Sequence, residues 1–196
     1  MNLYSLPDRA VFGGREYPHR TDFREMMTVF SVLNDEKKPE FLRWYTAISY
    51  FFTEEIPAQH RVAAMEYLAD FLTCGERGSP GPRLFDWEQD ATAIIADVNT
   101  AAGREVRSEQ LHWWTFLSYF HGIREGQLSN LIAIRQKLRR GEKLSDHEQA
   151  FYRDNPEKVR LRRKSPPDPE KARLIAMLDA PRCPAKNAPS KEGASH

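Results

Sequence analysis

Cysteine is scarce in this 196-residue sequence, and its two copies stand in unlike surroundings. Cys74 and Cys183 are too far apart and too few for a disulfide framework or a zinc site made of cysteines alone. A reducing, cytosolic setting is the simplest expectation. Long apolar runs are missing too: no stretch of about 18 such residues exists to cross a membrane. Met1 to Ser5 lack the basic start and apolar stretch of a secretory signal. Sequence signatures of common catalysts are absent as well. Gly75 and Gly78 precede Ser79-Pro80 with no Lys or Ser/Thr in register for a phosphate loop. There is no Gly-x-Ser-x-Gly elbow, and no internal repeat.

Aromatics, by contrast, are plentiful at 11%, with 11 Phe, 7 Tyr and 4 Trp. A chain of this length can bury them in a core without covalent staples. The net charge of +1 conceals an asymmetry. Residues 1–130 hold 13 Lys or Arg against 19 Asp or Glu, whereas residues 131–164 hold 11 against 5. An acidic body followed by a basic arm is the stronger description.

Short runs around Gly13-Gly14 signal a β-hairpin, because both turn residues can take positive φ. Helical spacing begins after Thr21, the expected cap, with Phe23, Met26, Met27, Phe30 and Leu33 on one face. A second helix after Pro39 carries Phe41, Trp44, Tyr45, Ile48, Phe51 and Phe52. A third from Pro57 carries Val62, Met65, Leu68 and Leu72. Residues 75–83 read as a Gly/Pro loop. Asp86 is the expected cap of a fourth helix bearing Trp87, Ala91, Ile94, Ile95 and Val98. A fifth starts near Ser108 and is apolar nearly all round from Leu111 to Phe120, so it should be the most buried. A sixth spans Gln127 to Gly141. Beyond it the core signal fades, with a short helix expected at 145–155 and a basic run at 158–164. The expected architecture is therefore mainly α: a compact domain of about six helices with a small N-terminal β-hairpin over residues 1–140. A basic helical arm over 141–164 and a Pro-rich, disordered tail over 165–196 should follow.

Candidate chemistry is thin. Asp86, Glu88 and Asp90 suggest a cation site, but on a helix only 86 and 90 share a face, and acids in a first turn already complement the helix dipole. His112, beside two Trp, reads as a polar-tipped core residue. Cys74, near a helix C-terminus, reads as an unreactive thiol. No nucleophile, base and orienting group come together, so no enzyme, metal or cofactor is expected. The basic arm is the better feature. Arg135, Lys137, Arg139, Arg140, Arg160, Arg162 and Arg163 are the candidate partner-binding residues. Residues 135–164 suit an acidic protein surface or, through phosphate contacts, nucleic acid. No aromatics interleave with the cluster to stack bases.

Several motifs in a fixed order carry a family resemblance. They are Leu6-Pro7-Asp8, Gly14, Tyr17-Pro18, Thr21-Asp22-Phe23-Arg24 and Cys74-Gly75. Phe85-Asp86-Trp87-Glu88-Gln89-Asp90, Leu111-His112-Trp113-Trp114-Thr115-Phe116, Gly122 and Ile132-Ala133-Ile134-Arg135 follow. Together they resemble the bacteriophage gene-product-fifteen family, encoded in the tail module of long-tailed phages, over roughly residues 3–135 and more loosely to about 161. His19-Arg20 departs from the pattern where an aliphatic residue is usual, and Val98 stands where an aromatic is usual. The resemblance implies a tail assembly chaperone that binds the tape-measure protein and other tail proteins non-covalently in the host cytoplasm. It brings no catalytic residues. A structural tail component and a nucleic-acid-binding accessory protein are the alternatives.

Overall fold

In the computed structural model, which describes residues 4–76 and 81–162, the Gly-Gly signal produces its hairpin. Strand β1 (Arg9–Phe12) pairs antiparallel with β2 (Arg15–Pro18), and the turn places Gly13 and Gly14 at φ of 61° and 72°. A side chain at Gly13 would also overlap the His60 ring. The cross-strand partners Ala10 and Tyr17 are fully buried. Tyr17 stacks on Phe12, and its hydroxyl meets His60 Nδ1 at 2.7 Å, which fastens the hairpin to the helices.

Eight α-helices follow among the described residues: α1 (Phe23–Asn34), α2 (Glu40–Phe51), α3 (Arg61–Leu72), α4 (Ala91–Ala102), α5 (Trp113–His121), α6 (Gln127–Arg140), α7 (Asp146–Asp154) and α8 (Pro156–Val159). The fold is mainly α with a small N-terminal hairpin, as the patterning indicates. Four helix starts differ from expectation: a 3-10 turn (Ala58–His60) follows Pro57, so α3 begins at Arg61, and the other three shift for local reasons of capping. Asp22, not Thr21, caps α1, because its carboxylate accepts the Arg24 N–H. Asp86 closes a separate turn by accepting the Glu88 and Gln89 N–H groups, so α4 begins only at Ala91. The His112 ring accepts the Trp114 N–H, so α5 begins at Trp113 rather than near Ser108.

The inner faces also differ in places. Ala47, Ile48 and Phe51 of α2 and Ala64, Leu68, Phe71 and Leu72 of α3 point inward. Phe41, Tyr45 and Val62, expected on the buried stripes, are 71%, 48% and 65% exposed. α5 is central, with Trp113, Trp114, Phe116 and Leu117 buried; Phe120 at its end is half-buried. Phe116 stacks on Phe23 of α1 at 4.5 Å between ring centroids. Trp87 fits between Phe30, Phe85, Trp113 and Phe120. Such aromatic pairs add about 0.5–1.5 kcal/mol each beyond burial.

Residues 141–162 are not a free-standing arm. Leu144 and Val159 belong to the buried core, and Phe151 and Tyr152 pack against it. Val159 is 1% exposed in the middle of the basic run. Periodicity missed it because two apolar residues, Val159 and Leu161, among five cations are too few to set a period. The tail expected at 165–196, with Arg163 and Lys164, lies outside the described residues.

Candidate partner-binding groove

Two buried aspartates organise the two ends of the helical body. Asp22 accepts from the Arg24 N–H at 2.9 Å, from the Leu111 N–H at 3.1 Å and from the Arg24 guanidinium. Two main-chain bonds beside it, Phe23 N–H to the Leu111 carbonyl and Trp113 N–H to the Thr21 carbonyl, tie the start of α1 to the start of α5. Burial works against the Asp22 carboxylate, but Arg24 and the two backbone donors outweigh it and hold its pKa below the ordinary value. The next residues extend the junction. His112 donates from Nε2 to the Pro7 carbonyl while Nδ1 caps α5, a pattern that needs the neutral ring. Burial lowers its pKa accordingly. Trp113 and Trp114 donate their indole N–H groups to the Leu72 and Phe71 carbonyls in the last turn of α3, where helix carbonyls lack intrahelical i+4 donors.

Asp90 builds the second junction. Its carboxylate pairs bidentately with Arg135 of α6, at 2.7 and 2.8 Å, with side chains only 2% and 5% exposed. The guanidinium also donates to the Leu84, Lys158 and Val159 carbonyls, so all its donor directions are used. Gln89 adds bonds to the Glu157 and Arg160 carbonyls and accepts the Arg162 N–H. Two side chains thereby clamp the α8 segment, which offers mostly bare carbonyls. A third carboxylate, Asp97 of α4, caps α6 through the Gln127 and Leu128 N–H groups at 3.0 and 2.8 Å. It lies so close to Gly126 that a Cβ there would overlap it.

These links frame a groove of about 530 Å³ between α4, α6, α7 and α8. Ala93, Leu131 and Ile134 form its floor, and Phe151 of α7 is its wall. Thr92, Gln127, Asn130 and Ala133 line its open side. Both carboxylates on the groove are already neutralised, Asp90 by Arg135 and Glu148 by Lys137 at 2.7 Å. The Lys137 ammonium and the Ser145 N–H pull the Glu148 pKa down to about 2. Lys158, on the α8 rim, has no side-chain partner among the described residues.

The model of the family described as Bacteriophage Gp15 protein matches residues 5–161. The chain belongs to the bacteriophage Gp15 family. Neither a curated protein nor a solved structure matches it. Membership makes it a phage structural or morphogenesis protein whose partners are other phage proteins. In this Gp15 protein the resemblance-bearing motifs are largely joints. Thr21 to Arg24 and Leu111 to Trp114 form the Asp22 junction; Phe85 to Asp90 and Ile132 to Arg135 form the Asp90 junction. His19, where an aliphatic residue is usual, is buried. Its Nδ1 donates to the Arg20 carbonyl, and its Nε2 faces the Tyr67 hydroxyl at 2.9 Å. Burial pushes its pKa down to about 4.

The basic residues singled out from sequence do not form one surface. Arg135 is interior. Lys137 is paired with Glu148, and Arg140 reaches Glu142 at 3.5 Å. Arg160 donates to the Tyr152 hydroxyl and lies over its ring. Arg139 is exposed without a partner among the described residues, and Arg162 is held through its main chain. Arg163 lies outside the described residues. Asp86 and Asp90 are committed to protein donors, and Glu88 faces solvent. The Cys74 thiol is pushed up to about 11 by burial and by Glu76, rather than by the helix end invoked from sequence. The groove itself had no sequence signal, because its lining comes from four helices in spacings that each read as ordinary amphipathicity. Among the described residues no helix is long and apolar enough to cross a membrane.

Proposed function

We propose that this protein is a tail assembly chaperone: a non-enzymatic binder that holds the tape-measure protein in the host cytoplasm until tube subunits assemble around it. The observation that carries this reading is an open, apolar-floored groove on a chain of the Gp15 family. Helix-in-groove recognition uses such a surface. A long amphipathic helix left bare would self-associate through its apolar stripe, and covering it requires modest contacts repeated along its length. The interior acids and histidines support a binding role, since Asp22, Asp90, Asp97, His19 and His112 are all spent on holding helices together. The test is co-expression with the tape-measure protein of the same phage. Its soluble yield should rise and the two should co-purify at low salt. No retention, with the tape measure no more soluble than alone, overturns the reading. Mass spectrometry of purified virions separates it from a structural tail role, because a chaperone is absent from finished particles.

A further inference from the structure

The groove has features that specify an occupant. Its α6 side is lined at residues 127, 130, 131 and 134, the three- and four-residue spacing of one helical face, with Ala133 at its edge. That stretch spans about 10 Å, two turns. A facing helix would set side chains at i, i+3 or i+4, and i+7 against it. The floor of Ala93, Leu131 and Ile134 is shallow and apolar, so it accepts branched or unbranched aliphatic side chains. The rim is unbalanced in charge. Its two carboxylates are each already paired with a cation, whereas Lys158 has no side-chain partner among the described residues. His147 also lines the rim. A partner carrying a carboxylate beside its apolar stripe would complete that pair, and a basic partner would meet uncompensated positive charge.

We infer that the groove between α4, α6, α7 and α8 is the docking site for a partner helix whose aliphatic stripe is flanked by acidic residues. Arg135 and Gln89 act as positioning residues, because they hold α8, and with it Lys158, in place. This inference rests on the chaperone reading and identifies the occupant as a tape-measure helix.

The test uses the full chain and the tagged tape-measure protein of the same phage. Two variants address the groove: Ala133→Trp, a solvent-facing position that fills it, and Lys158→Glu, which inverts the rim. Val62→Asp, on the exposed α2–α3 face, is the control. Thermal melting and far-UV circular dichroism establish that each variant folds. Ala133→Trp should weaken tape-measure binding at least tenfold. Lys158→Glu should weaken it severalfold at low salt, with the difference shrinking as salt rises. Val62→Asp should bind as the wild type. If wild type binds and both groove variants bind equally well, the groove is not the site, although the chaperone reading stands. If Val62→Asp alone loses binding, the α2–α3 face is the site. If wild type itself does not bind, the chaperone reading and its occupant both fall. Sedimentation of the free chain covers another occupant: self-association abolished by Ala133→Trp, with tape-measure binding intact, would assign the groove to a second copy and overturn the inference.

Discussion

The two aspartate junctions use the same side chain for different ends. At Asp22 the paired cation, Arg24, is half-exposed, and much of the work falls to main-chain bonds between neighbouring segments. That junction closes the core and does not line the groove between α4, α6, α7 and α8. At Asp90 the cation is buried too, and among the described residues it is the bridge from α6 to the carbonyls of residues 158 and 159. The first junction is backed by main-chain bonds between the joined segments; the second rests on side chains, chiefly Arg135 with Gln89. An exposed or half-exposed pair contributes about 0–1 kcal/mol, whereas breaking one partner out of a buried pair costs about 3–5 kcal/mol. The end of the molecule that borders the groove therefore rests most heavily on one buried guanidinium, with Gln89 beside it.

The largest expected effect follows from that contrast. Arg135→Met should destabilise the protein by about 3–5 kcal/mol, since it leaves the Asp90 charge buried and three carbonyls without their donor. Adding Asp90→Asn should recover roughly 1–3 kcal/mol, a coupling that a chemical-denaturation double-mutant cycle would register. Simple additivity would show that the pair is not a unit. Trp114→Ala should cost a comparable amount, about 3–5 kcal/mol, through the cavity it opens and the lost indole bond to the Phe71 carbonyl. An unchanged melting temperature there would mean that α5 does not centre the core. Asp22→Ala should cost less, about 2 kcal/mol, the sum of a lost cap and a lost long-range bond. If Asp22→Ala proved as damaging as Arg135→Met, the claimed main-chain backing would be wrong.

Acid should reveal a further, smaller difference. The folded state holds His19 neutral, with its pKa near 4, while an unfolded His takes up a proton near 6.5. Between those values the unfolded state binds more protons, so stability is full above about pH 6.5 and falls as pH drops toward 4. The slope approaches about 1.4 kcal/mol per pH unit. His112 adds to the same loss, in the same direction. His19→Leu, restoring the aliphatic side chain, should flatten the slope without removing it. An identical slope in wild type and variant would show that His19 is not what titrates.

Much of this architecture was legible in the sequence. The hairpin followed from Gly13-Gly14, and α1, α5 and α6 from periodicity and terminal glycines. What escaped was tertiary in origin. The His112 bond to the Pro7 carbonyl and the Asp90 ion pair span 105 and 45 positions, beyond the reach of local pattern. Arg135 stood out as one cation among many and belongs to the interior; Val159 stood out not at all and belongs to the core. Phe41, Tyr45 and Val62 matched a buried stripe by spacing, yet the inner faces of their helices are carried by Ala47 and Ala64. The groove was invisible because it is the space that four separately ordinary helices leave between them.

Hydrogen exchange of the full chain, alone and in complex with the tape-measure protein, tests the central claim most directly. Binding should slow exchange in segments 127–134 and 147–159, around the groove, while the hairpin over 9–18 and the α2–α3 face over 41–62 keep their rates. Protection confined to the hairpin or to that face, with the groove segments unchanged, would contradict the account.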